Sequence, residues 1–220
     1  KNREAIYSWY DIKEKNTEST YINKCLLWWF IKKIPEKVLI IWFWWWAFAK
    51  YLEDHIKNIS ITWIDIDKTM VEIAKKELWV KTNDIYISDA IKSIDELIFK
   101  KETYDLILID VYWSDWEIPD YFSNWEFIIK IKSILTDNWT ISMNFSNYEL
   151  ENQKYNKIHN TFINTFWEYY SHLLSWKNDT SNLVWVYNLD KYYNAEDFDN
   201  NYLNQVNAWR IMNDEKIIRR

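Results

Sequence analysis

Asp65, Asp89 and Asp110 each stand where a short apolar run ends, and Asp115 follows Asp110 in a polar loop. A carboxylate at the carboxyl end of a buried strand can accept two hydrogen bonds from ribose hydroxyls, the role expected of Asp65 in Ile64-Asp65-Ile66-Asp67. At the mouth of a cleft, a carboxylate can instead hold an amine or take its proton. That is the role expected of Asp110, with Asp115 beside it. Asp89-Ala90 closes the run Ile85-Tyr86-Ile87. Asp89 either caps the helix that follows or meets the base end of a nucleoside, with Ile66 and Ile91 offering apolar contact to a ring. Asp67 is expected to cap a helix that begins at Lys68.

The remaining chemical signal is a turn. In Val38-Leu39-Ile40-Ile41-Trp42-Phe43-Trp44-Trp45-Trp46-Ala47 an apolar strand stops and a helix starts. The chain holds 17 Trp and no Gly, where ordinary usage puts Gly at about 7% of positions. Trp42, Trp44, Trp45 and Trp46 crowd this turn, Trp79 ends a helical stretch, and Trp113 and Trp116 sit in a polar loop. Trp139 lies in Asp137-Asn138-Trp139, between a helix pattern and a strand pattern. Such positions call for positive φ, close backbone approach or a helix stop, the work of Gly. We therefore expect Trp to stand here where the working protein has Gly. A UGA codon decoded as Gly in the cell and written as Trp leaves this pattern, and so does deliberate replacement. With Gly restored the turn reads Gly-Phe-Gly-Gly-Gly, a bare backbone cradle at a helix N-terminus for a cofactor. Literal indoles would crowd that cleft, so the chain as written is expected to work poorly.

These residues need a scaffold. Strands are expected at Val38–Ile41, Ile59–Ile64, Ile85–Ile87, Tyr104–Asp110 and Thr140–Phe145, with an antiparallel strand at Asn182–Tyr187. Helices are expected at Tyr21–Lys33, Ala47–His55, Asp67–Leu78, Ile91–Phe99, Phe122–Leu135 and Tyr155–Tyr170. Met70, Val71, Ile73, Ala74 and Leu78 are expected to face inward. Alternating strand and helix predicts an α/β chain with a mostly parallel sheet and helices on both faces. The unalternated apolar run before Asp110 fits a strand covered on both sides. Residues 1–34 read as a polar segment and helix, 35–187 as the nucleotide-binding domain, and 188–220 as a tail or peripheral element of it.

Charge and composition narrow the partners. A net charge of -6 and a pI near 5.2 argue against nucleic acid and favour a small cationic substrate. Cys25 is alone and is expected to pack in the core. The apolar run Val38–Ala49 is shorter than the roughly 20 residues that cross a bilayer, so a soluble, cytoplasmic protein with no membrane partner is expected. His55, His159 and His172 are far apart and make no metal-ligand spacing. The aromatic residues Phe162, Phe166, Tyr169 and Tyr170 are expected in the core, with a homodimer contact as the alternative.

Together, the 42–46 turn read with Gly, Asp65-Ile66-Asp67, Asp89-Ala90 and Tyr104-Asp105-Leu106-Ile107-Leu108-Ile109-Asp110 resemble the spermidine synthase family and its class I methyltransferase-like relatives. The resemblance runs roughly from Tyr21 to Val186 and is closest from Val38 to Phe145. It implies the Rossmann-like class I adenosylmethionine-dependent methyltransferase fold. It places Asp65 on ribose, Asp89 and Ala90 near adenine, and Asp110 at the reacting amine, with Asp115 shaping the amine pocket. It implies polyamine biosynthesis without a metal, an aminopropyl group passing from decarboxylated S-adenosylmethionine to a small amine such as putrescine. Asp110-Val111-Tyr112-Trp113-Ser114-Asp115 departs from the family's usual Asp-Ser-Thr/Ser-Asp-Pro, and the family's β-rich N-terminal region with its Asp-Gly and Gln motif is not found. The alternatives are therefore a methyltransferase using S-adenosylmethionine itself and a noncatalytic nucleotide-binding module. A nicotinamide oxidoreductase fits less well.

Overall fold

The computed structural model describes residues 13, 35–41, 46–77, 79–82, 84–110, 118–146, 153–166, 170–176 and 179–189. The expected helix over 21–33 with Cys25, the turn positions Trp42, Trp44 and Trp45, Leu78, the loop with Tyr112, Trp113, Asp115 and Trp116, Tyr169, and the tail from 190 lie outside them.

Seven strands form one sheet: β1 (Lys37–Ile41), β2 (Ser60–Asp65), β3 (Asp84–Ile87), β4 (Tyr104–Ile109), β5 (Leu135–Ser146), β6 (Tyr170–Trp176) and β7 (Asp179–Leu189). Their order is β3-β2-β1-β4-β5-β7-β6. The first five run parallel, and β7 lies antiparallel to both β5 and β6. Five helices connect them: α1 (Trp46–His55), α2 (Lys68–Glu77), α3 (Ala90–Phe99), α4 (Trp125–Ser133) and α5 (Gln153–Thr165).

The continuous apolar runs become the middle of the sheet, because a central parallel strand is covered on both faces. Side chains alternate along a strand. Leu39, Ile41, Ile107 and Ile109 therefore join one cluster with Ile94 and Leu97 of α3, Phe127 and Ile131 of α4, and Ile158 and Phe162 of α5. Val38, Ile40, Leu106 and Leu108 are left to the opposite face, where α1 offers the buried Phe48, Tyr51 and Leu52 and α2 offers Val71 and Ala74. Each fully buried Leu or Ile contributes about 1.5–3 kcal/mol relative to exposure. Chain order reverses beside β1, since β2 and β3 extend the sheet one way while β4 and β5 extend it the other. The carboxyl ends of β1 and β4 thus flank a topological switch point, where open α/β sheets receive ligands.

Four local expectations are corrected. The helix expected over Phe122–Leu135 divides into a short 3-10 turn, Asp120–Ser123, and α4, because the Asn124 side chain accepts from Glu126 N at 2.9 Å and restarts the helix. Asp137-Asn138-Trp139 is not an open turn but part of β5: Leu135 pairs with Tyr104 and Thr140 with Leu106, so residues 136–139 bulge opposite Asp105. Trp139 is buried there, its ring 4.8 Å from that of Phe166. Ile73 faces solvent while Val71 and Ala74 make the contact of α2. Finally, α5 stops at Thr165, and Tyr170 opens β6, an edge strand that the aromatic helical spacing concealed.

Candidate functional site

The site is built on three strand ends and the residues just after them. β2 delivers Asp65, which is buried to 2% exposure. Its Oδ1 accepts from Asp67 N at 2.7 Å, whereas its Oδ2 is buried with no hydrogen-bond partner. Burial, with the charge of Asp67 adding to it, pushes the Asp65 carboxyl up to about 7, against the pull of the Asp67 and Ile66 amides. A buried acceptor without a donor is costly. Asp65 therefore presents an acceptor suited to an incoming hydroxyl. Asp67 caps α2 as expected, accepting from Thr69 N at 2.8 Å.

Beside Asp65, the strand ends leave apolar surface open. Ile66 is 47% exposed and Ile87, at the end of β3, 46%. Ile91, expected with Ile66 beside a ring, is partly buried and packs against the core cluster. Asp89 caps α3, its Oδ1 accepting from Ile91 N at 2.9 Å, and it stays only half-buried. Ala90 packs into the core with its methyl group. The hydroxyls of Ser88 and Ser93 meet at 2.6 Å below this corner.

β4 delivers Asp110, 5% exposed, whose N–H donates to the carbonyl of Ile41 at 3.3 Å. That bond ties the acid to the last residue of β1, at the switch point. Asn144 Nδ2 donates to Asp110 Oδ1 at 2.9 Å from the end of β5. Burial pushes the Asp110 carboxyl up to about 7, and the Asn144 hydrogen bond opposes that rise. A carboxyl that titrates near neutrality is matched to taking or giving a proton under ordinary conditions. Trp46 is half-buried as the first residue of α1. Of the expected site residues, the fold gathers Trp46, Asp65, Ile66, Asp89, Ala90 and Asp110 along one sheet edge. Trp42, Trp44, Trp45 and Asp115 are outside the described residues.

Two residues at this edge escape sequence reading. Asn144 ends the strand pattern Ile141-Ser142-Met143 as its polar residue, and only the β4–β5 register sets it against Asp110. Tyr121, in the 3-10 turn, buries its hydroxyl without a hydrogen-bond partner. Burial and then the charge of Asp89 hold its phenol above the ordinary range. Nothing in the sequence around Tyr121 marks it. Among the described residues no group of three or more His, Cys, Asp or Glu is placed to hold a metal ion, and no helix is long and apolar enough to cross a membrane.

No protein-family model and no curated protein matches the sequence. Solved structures do match in three dimensions. Human methyltransferase-like protein 13, in complex with SAH, superposes with a TM-score of 0.68 at 18% identity, covering 86% of this chain and 86% of that one. A spermidine synthase in complex with the transition-state analogue AdoDATO gives 0.63 at 15% identity, over 84% of this chain and 72% of that one. An O-methyltransferase from Bacillus cereus, in complex with SAH, gives 0.56 at 13%, over 80% and 83%. This is the Rossmann-like class I methyltransferase fold. At these identities the likeness is one of fold, and it extends in three dimensions the resemblance read from the residues. In this class I methyltransferase fold, Asp65 and Asp110 occupy strand ends on either side of β1, two positions that a ligand lying across the switch point would span.

Proposed function

We propose that the protein is a transferase of the spermidine synthase type, moving an aminopropyl group from decarboxylated S-adenosylmethionine to a small amine such as putrescine. The observation that carries this reading is Asp110: a buried acid at the switch point, held by Asn144, with its carboxyl at about 7. A protonated amine has no lone pair with which to attack. Asp110 orients the amine and takes its proton, and a carboxyl poised near neutrality does this without holding the proton too tightly. Asp115 adds negative charge for the distal ammonium.

The residues present fit an adenosine-bearing donor, because the buried, unpartnered Oδ2 of Asp65 is the acceptor a ribose hydroxyl would satisfy. Ile66 would offer apolar contact to the base, with Asp89 at its polar edge, and the 42–46 turn read with Gly would receive the rest. When bound, the donor would supply an electrophilic carbon beside a sulfonium, its sulfur leaving as a neutral thioether on the nucleoside. The spermidine synthase that shares this fold, crystallised with a transition-state analogue, supports the aminopropyl reading. We take residues 35–187 as the transferase domain, flanked by 1–34 and 188–220, acting in the cytoplasm on small substrates.

One observation favours methyl transfer from S-adenosylmethionine as the second reading. A groove of about 800 Å³ at the starts of α4 and α5 is lined by Asp120, Asn124, Trp125, Lys154 and Lys157. Lys154 pairs with Asp120 at 3.1 Å, so Lys157 gives the groove its net positive charge, which suits an anionic acceptor better than a diamine. Mass-resolved product analysis with each donor and putrescine, on protein carrying Gly at the suspect Trp positions, tests both. Aminopropyl product is expected from the decarboxylated donor; methylated product from the ordinary donor alone would move the assignment, and no donor binding would overturn it.

A further inference from the structure

We propose that Asn144 is a positioning residue for the transfer: it fixes the Asp110 carboxylate through Oδ1 and turns Oδ2 toward the acceptor. The inference rests on the reading of Asp110 given above and adds a residue to it. The geometry is specific. Ile109 and Met143 are register partners in the β4–β5 ladder, so Asp110 and Asn144 fall at the next position along the same two strands. Asn144 is 4% exposed, and its amide lies 2.9 Å from Oδ1. The backbone of Asp110 is held independently, by its bond to Ile41 of β1. With the main chain and Oδ1 both tethered, Oδ2 is assigned to the chemistry.

The surroundings make this contact decisive. β1 offers Asp110 the apolar residues Ile40 and Ile41, and β5 offers Met143 and Asn144. Among the described residues no charged group contributes to the shift of the Asp110 carboxyl, for which burial and the Asn144 hydrogen bond are the causes. Asp65 stands beyond β1, on β2. One neutral amide is therefore what opposes desolvation of the acid. A hydrogen bond to an ionised group in such surroundings is worth more than an ordinary one, and its loss favours the protonated acid.

The test uses Asn144→Leu, which keeps the shape and removes the donor, and Asn144→Ser, which keeps a shorter donor, both in the full chain with Gly at the suspect Trp positions. Carboxyl carbon NMR follows Asp110 directly and needs no turnover. In Asn144→Leu the titration midpoint of Asp110 is expected to rise by about one unit, tenfold in its acid constant. The acid limb of the kcat/KM profile should move with it, while the Kd for the sulfonium donor stays within about threefold and transfer at neutral pH falls about ten- to a hundredfold. Asn144→Ser should recover part of each shift. If Asn144→Leu does not fold, Asn144→Ala supplies the same readout. An Asp110 midpoint unmoved by loss of the amide overturns the proposal, as does a fall in donor affinity equal to the fall in turnover. If the parent protein transfers no group from either donor while the midpoint moves, the reaction assignment fails and the action of Asn144 on Asp110 stands.

Discussion

Asn144 reaches across from β5 to donate a hydrogen bond to Oδ1 of Asp110 at 2.9 Å, so the one acid at the end of β4 is held from two neighbouring strands. Replacing that acid with its neutral isostere keeps the volume and removes the proton acceptor. Asp110→Asn is expected to lower transfer by about a hundredfold or more, the scale of a general base. Donor affinity should change little, because the proposed ribose and base contacts lie on β2 and β3. Single-turnover kinetics beside calorimetric donor binding separate these quantities, and unchanged turnover would remove Asp110 from the mechanism.

The same burial sets a pH dependence of stability. Asp65 and Asp110 titrate at about 7 in the folded chain, with burial the largest cause in each, against a usual value near 3.8. A folded pKa above the unfolded one means that folding takes up protons. The resulting stability is fully present below about pH 4 and is lost as pH rises through about 7, at about 1.4 kcal/mol per pH unit for each group. His159 opposes this below its usual 6.5, since burial lowers it to about 4 and charging it in the unfolded chain costs stability as the pH falls. Comparing the parent with Asp110→Asn isolates one carboxyl. Urea unfolding from about pH 5 to about pH 8 should show the variant gaining on the parent by about 1–3 kcal/mol. Parallel curves would refute burial as the origin of the shift.

How much of this could be read beforehand depended on whether the signal was local. β1 and β4 were legible because buried parallel strands leave unbroken apolar runs, and the places of Asp65 and Asp110 because each carboxylate stands at a strand end. The caps at Asp67 and Asp89 were legible for the same reason. The 3-10 turn at Asp120–Ser123 and the edge strand β6 were not. Aromatic and apolar residues there satisfy helix and strand spacing equally well, and tertiary contacts decide. Asn144 was hidden because its meaning lies in cross-strand register, which no single segment encodes. Trp139 misled because Asp137-Asn138 has turn composition, yet the segment is absorbed as a bulge within β5.

With Asp65 as the proposed ribose ligand, donor binding is expected to depend on pH in the opposite sense to stability. Ribose hydroxyls donate hydrogen bonds, so they favour the ionised carboxylate, and binding should expel the proton that Asp65 carries below about 7. Donor affinity is expected to rise with pH up to about 7 and then level, changing about tenfold per unit on the acid side. Calorimetry in buffers of different ionisation enthalpy would report that proton release. Asp65→Ala should abolish the release and weaken binding by about ten- to a hundredfold. Affinity that stays flat between about pH 5 and about pH 8 would take Asp65 out of the donor site.

Among the described Trp residues, Trp79 takes the positive φ that the Trp-for-Gly expectation calls for, as Asn58 and Lys101 also do. It follows α2 with φ of 53° and its indole 60% exposed, while Val80 N bonds back to the carbonyl of Ala74 at 3.4 Å to close the helix end. A left-handed residue at this point is the usual place for Gly, and any side chain with a Cβ costs about 1–2 kcal/mol there. The exposed indole has little packing to offset that cost. Trp79→Gly is therefore expected to stabilise the chain by about 0.5–1.5 kcal/mol, with a rise in Tm of a few degrees. Trp139 behaves differently, since its ring fills the core against Phe166. Thermal unfolding of Trp79→Gly, read beside peptide mass spectrometry of the natural product across positions 42–46 and 79, makes the test twofold. A loss of stability in the variant would count against Gly at that helix end, and Trp found in the natural peptides would overturn the Trp-for-Gly reading at positions 42–46.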